Sequence, residues 1–86
     1  MDPETKTEID TLHQMVQNWK LSYFTFYSTD GVNDWILDEF IEEVSTHIIP
    51  YLHRLQDCEH ITGLDAANFF GRTEGEIEDL RRLLRL

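Results

Sequence analysis

The chain has a single cysteine and no long apolar run, and both absences exclude classes of protein. Cys58 has no second cysteine to pair with, so an intramolecular disulfide is impossible and a disulfide-stapled secreted mini-protein is not expected. No apolar stretch approaches the ~20 residues of a membrane-spanning helix. The first ten residues are polar and acidic, unlike a secretory or mitochondrial targeting signal. These features predict a soluble cytoplasmic protein that does not contact a membrane.

Sequence motifs of catalysis are also lacking. The chain contains no Gly-rich phosphate-binding loop, no nucleophile elbow and no helical His-Glu-x-x-His. Once its core is filled, a chain of 86 residues leaves little room for a ligand pocket of ordinary size. We therefore expect a protein that is not an enzyme and that binds no cofactor.

Basic residues are missing from the middle of the chain, between Leu21 and His53. Six carboxylates lie in this segment, which therefore carries −6 of the total net charge of −10. A concentrated field of one sign attracts basic partners and repels polyanions. The segment thus predicts a docking surface for a protein partner with a basic surface, and it argues against nucleic-acid binding. The alternative is a solvated face that only keeps a small protein soluble.

Apolar residues are frequent enough for the chain to fold, because 41% of the residues are hydrophobic and 12% are aromatic. From Ile9 to Phe26 they recur at steps of three and four, which is typical of one face of a helix. Asp2 and Pro3 supply a capping side chain and a fixed φ at its start. Residues 21–27 are rich in aromatic and threonine side chains, so a short strand there is the alternative to a continued helix.

A second helix is expected to begin at Asn33 or Asp34, after the turn-forming residues 28–31. Its apolar residues again fall three to four positions apart. Pro50 lacks a backbone donor and crowds the preceding turn, so this helix should kink or break near Ile49.

The candidate binding site lies on the polar side of this second helix. Its carboxylates fall about one helical turn apart, with an aromatic residue among them. An aromatic side chain within a charged rim is a common anchor of protein interfaces. The residues assigned to partner binding are Asp34, Trp35, Asp38, Glu39, Glu42 and Glu43. A homodimer through the first helix, whose apolar stripe ends in aromatic residues, is compatible with this assignment.

The C-terminal third predicts two shorter helices. Thr62 or Gly63 begins the first and Gly71 ends it, while residues 73–76 match the capping box of a second helix. With the first two helices, this predicts an all-α fold for residues 1–86. We expect a single domain, a three- to four-helix bundle with short connections and antiparallel neighbours.

The spacing of Ala67, Gly71 and Ile77 resembles a helix-turn-helix. This resemblance implies DNA binding by residues 62–85, but the leading end of its second helix is acidic, the wrong sign for contacting phosphates. A further alternative is a nucleic-acid mimic, which would present rows of carboxylates to a DNA-binding protein and inhibit it.

Three histidines and the cysteine fall within fourteen residues but lack the paired spacing of a zinc site, so no metal site is expected. These residues are His47, His53, Cys58 and His60.

Overall fold

Four helices account for most of the chain in a computed structural model that describes residues 1–86. They are α1 (Pro3–Phe24), α2 (Asp34–His47), α3 (Ile49–Asp57) and α4 (Gly63–Leu83). The chain forms no strand, so the prediction of a small all-α bundle is confirmed. The alternative of a short strand within residues 21–27 is wrong, because α1 continues to Phe24 and a tight hydrogen-bonded turn follows it.

The four helices form three rods: α1, α2 together with α3, and α4. Helices α2 and α3 count as one rod because a single residue separates them and α3 continues in the direction of α2. Tyr23 of α1 packs against Phe40 of α2, and Trp19 packs against His47, so the first and second rods are antiparallel. Helix α4 returns alongside α1 and is parallel to it. The bundle measures 47 × 18 × 17 Å and is therefore elongated along the helix axes.

The start of α1 and the break between α2 and α3 follow local chemistry. The backbone N–H of Thr5 donates to Oδ1 of Asp2 at 2.8 Å, and Pro3 occupies the first helical position. Helix α2 ends at His47, and Pro50 lies in the first turn of α3, where its missing N–H leaves no hydrogen bond unmade. The predicted helix start and the predicted break near residue 49 are both confirmed.

The prediction of two shorter helices in the C-terminal third is wrong, because residues 63–83 form one continuous helix. Gly71 lies inside α4 and does not end a helix, so the turn required for a helix-turn-helix is absent. The capping box forms at the beginning of this helix instead of at residues 73–76. The backbone N–H of Asp65 donates to the Thr62 hydroxyl at 3.1 Å, and the N–H of Thr62 donates to the Asp65 carboxylate at 3.0 Å.

The core runs the length of the bundle and draws thirteen buried apolar side chains from the rods and the loop before α4. Phe40 of α2 and Phe69 of α4 are the largest of these, and Val16 of α1 is fully buried between the rods. Burial of Phe69 and Leu80 on one face of α4 stabilises that helix despite the glycines in its interior. No helix combines the length and apolarity needed to cross a membrane.

Candidate functional site

The six residues assigned to partner binding share the solvent side of α2. The opposite side of the helix is occupied by core residues, including Phe40 and Val44, which are almost fully buried. This division leaves five of the assigned residues exposed and Glu43 half-exposed. The structure therefore brings together Asp34, Trp35, Asp38, Glu39, Glu42 and Glu43 on one face, which we call the acidic face.

An aromatic pair lies at one end of the acidic face. Trp35 is 47% exposed and Phe26 is 59% exposed, and their ring centroids are 5.8 Å apart. Sequence periodicity placed Phe26 on the apolar stripe of α1, but the residue lies just beyond the end of that helix, in the turn. Sequence reasoning missed Phe26 as part of the site, and only the position of the helix end could have indicated it. The pair gives the charged face an exposed apolar anchor.

The acidic face has no Lys or Arg within ion-pairing distance. Its one contact with a titratable base is Glu43 Oε1 to His47 Nε2 at 4.0 Å. The two nearest candidates by sequence are engaged elsewhere, since Lys20 binds carboxylates of α4 and the guanidinium of Arg54 lies 5.6 Å from the centre of the Tyr51 ring. The carboxylates of α2 therefore form no ion pair with Lys or Arg, although Arg81 of α4 lines the same cleft as Asp34 and Asp38.

The carboxylates of the acidic face influence the pKa of Tyr23 in α1. Burial raises the pKa of the Tyr23 phenol, and the nearby carboxylates of Glu43, Glu39 and Glu42 raise the same pKa further. These three residues therefore extend the acidic face toward α1, whereas Asp34 and Asp38 extend it toward α4.

A second polar cluster, between α1 and α4, was not anticipated from the sequence. Lys20 Nζ donates to Glu76 Oε2 and to Asp79 Oδ2, each at 2.7 Å, and Gln17 Nε2 donates to Glu76 Oε1 at 3.3 Å. Burial alone would lower the pKa of Lys20, but its two hydrogen bonds outweigh burial and raise the pKa. Each ion pair joins Lys20 of α1 to a carboxylate of α4, so the cluster links the two helices. We call this cluster the clamp.

His13 lies at the edge of this cluster. Its Nε2 is 3.8 Å from Glu76 Oε1, while its buried Nδ1 has no hydrogen-bond partner. Burial lowers the pKa of His13, and the positive charge of Arg72 lowers it further despite the opposing effect of Glu76. The ring is thus held neutral near pH 7, packed edge-on against Phe69 at 6.2 Å between centroids.

The three histidines and the cysteine of residues 47–60 do not converge. No group of three or more His, Cys, Asp or Glu side chains has the arrangement of a metal site. His47 forms a T-shaped ring pair with Trp19 of α1, His53 forms one with Phe70 of α4, and Cys58 is exposed.

Comparison of the chain with protein-family models, curated proteins and solved structures finds no match.

Proposed function

We propose that this protein is a non-enzymatic interaction or regulatory module that docks a basic protein partner on the acidic face of α2. The observation that carries the proposal is the set of five carboxylates on the exposed half of one helix, with no Lys or Arg paired to any of them. The proposal places the module in the cytoplasm, which fractionation of cells expressing the tagged protein would test.

Electrostatics favour such a complex for two reasons. Carboxylates one turn apart on a helix repel one another by a few tenths of a kcal/mol per pair, and cationic groups of a partner would remove this repulsion. A concentrated negative field also accelerates encounter with a positive surface, an effect that weakens as salt is added. The exposed rings of Trp35 and Phe26 supply the apolar contact that charges alone do not provide.

The test is a pull-down from native lysate with the tagged full chain, read by mass spectrometry with and without nuclease. The variant Glu39→Lys, Glu42→Lys, Glu43→Lys reverses the acidic face. A matched control reverses three exposed, unpaired carboxylates elsewhere, namely Glu8, Asp57 and Glu59. Far-UV circular dichroism verifies that both variants keep the helicity of the native protein.

We expect a nuclease-resistant partner with a basic surface that is captured by the native chain and by the control, and lost by the acidic-face variant. Equal capture by both variants would remove α2 as the docking face. If the captured partner binds DNA and added duplex DNA displaces it, the nucleic-acid mimic is the better description. Direct retardation of duplex DNA by the chain at low salt would instead contradict the repulsion argued from its charge.

A further inference from the structure

A groove runs along the seam between α2 and α4, beside the acidic face. Its wider part is a cleft of about 390 Å³ whose walls include Ile41, Phe70 and Ile77. A second cleft, of about 250 Å³, shares Ile41 with the first, and its walls include Asp34 and Asp38 of α2 and Arg81 of α4. The two clefts are therefore adjoining parts of one groove, which is mostly apolar in its wider part and mostly polar in its narrower part.

The length of the groove matches a helical segment. Residues of the second rod border it from Asp34 to Ile49. At 1.5 Å per residue, this wall is about 22 Å long, or about four turns of helix. An extended run of that length is more than a small molecule would need and suits a docked helix.

The groove is apolar along its wider part, and its rim carries three carboxylates and one guanidinium, that of Arg81. Asp34 and Asp38 border it on the α2 side and Glu74 borders it on the α4 side, none of them ion-paired within the chain.

We infer that the groove takes an amphipathic, basic helix of the partner, with the apolar stripe on the floor and Lys or Arg residues facing the acidic rim. The inference rests on the proposed function and adds the local structure of the partner. Charge complementarity selects this occupant, because three carboxylates against the single guanidinium of Arg81 leave the rim net negative, which favours a basic helix over an acidic one.

The experiment uses a fluorescein-labelled peptide of about 18 residues, with Leu at helical three- and four-residue spacing and Lys at the other positions. A peptide of the same composition in scrambled order keeps the charge and loses the apolar stripe. Two variants of the full chain separate the groove from other surfaces. Ser45→Trp places an indole over the wider cleft from an exposed position, and Gln14→Trp places the same ring on the exposed side of α1.

We expect fluorescence anisotropy to show about tenfold tighter binding of the amphipathic peptide than of the scrambled one. Ser45→Trp should weaken this binding about tenfold and Gln14→Trp should leave it unchanged. Equal affinities for the two peptides, or no loss of affinity with Ser45→Trp, would overturn the inference that the groove binds an amphipathic helix. If binding is then still lost with the acidic-face variant, the proposed docking face survives alone. If that variant also binds equally, both proposals fail.

Discussion

Replacement of Gly71 and Gly75 with alanine is expected to stabilise the protein. Both glycines lie inside α4, neither has a positive φ, and a Cβ at either position would meet no atom within 4 Å. Alanine therefore brings no clash and no new contact. What remains is the difference in helix propensity, about 1 kcal/mol per site, part of which arises from the lower entropy of the unfolded chain. The double variant should gain about 2 kcal/mol in free energy of unfolding.

Urea denaturation followed by circular dichroism would measure this gain, with thermal melts as a second readout. For a domain of this size, about 2 kcal/mol corresponds to a rise in Tm of roughly 10 °C. Gly31→Ala is the matched control. A Cβ at Gly31 would lie 3.1 Å from both Cβ and Oγ of Ser28, in the bend between α1 and α2, so this change should bring no gain.

The result that would refute the reasoning is a loss of stability with Gly71→Ala. A glycine that ends a helix in the left-handed conformation is damaged by alanine, because the added Cβ strains that backbone. Destabilisation at Gly71 together with stabilisation at Gly75 would therefore indicate a helix end at residue 71. The continuous α4 would then be wrong, and a helix-turn-helix would again be an open interpretation.

Three further predictions concern the polar groups of the interior. Thr73→Val should stabilise the protein by about 1 kcal/mol in urea denaturation, because it removes an unpaired buried hydroxyl. A loss of stability would contradict this reasoning. Lys20→Met should lower the free energy of unfolding by about 2 kcal/mol. This is less than the loss for a fully buried ion pair, because the pair lies at the edge of the bundle. Adding Glu76→Gln should recover part of the loss in a double-mutant cycle. Burial lowers the pKa of His13 below the ordinary 6.5, so the unfolded chain takes up a proton first as pH falls. The free energy of unfolding should therefore decrease as pH falls from 6.5 to the folded-state pKa; His13→Gln should flatten this decrease, and an unchanged slope would contradict the assignment.

Elements that depend on neighbouring residues could be predicted from the sequence. The start of α1 follows from the Asp2 side chain and Pro3, and the break near residue 49 follows from the missing N–H of Pro50. Each is decided within one helical turn, so it requires no knowledge of the fold. The acidic face could be predicted for a similar reason, because helical spacing alone separates its carboxylates from the buried side of α2.

The continuity of α4 could not be predicted from such local signals. Gly71 and Thr73 are helix-ending and helix-starting residues by preference, and together they indicated a boundary. Burial of Phe69 and Leu80 against the other two rods outweighs that preference, which amounts to about 1 kcal/mol for a glycine. Tertiary packing therefore decided an element that propensity assigned wrongly.

The clamp between α1 and α4 could not be predicted from the sequence for another reason. Lys20 meets Glu76 and Asp79 across 56 and 59 residues of sequence, and no local pattern marks such pairs. Only the parallel arrangement of α1 and α4 brings Lys20 to these carboxylates.

The distribution of cations explains why α2 keeps its field. Lys6 pairs within α1, while Lys20, Arg81 and Arg82 pair with carboxylates of α4. These ion pairs moderate the charge of the parallel helices and leave the carboxylates of α2 without a Lys or Arg in an ion pair. Repulsion within the acidic face should then make α2 the helix whose local stability rises most with added salt, because screening weakens repulsion between exposed charges. A basic partner would have the same effect through direct contact, so hydrogen exchange in α2 should slow on binding more than exchange in α1.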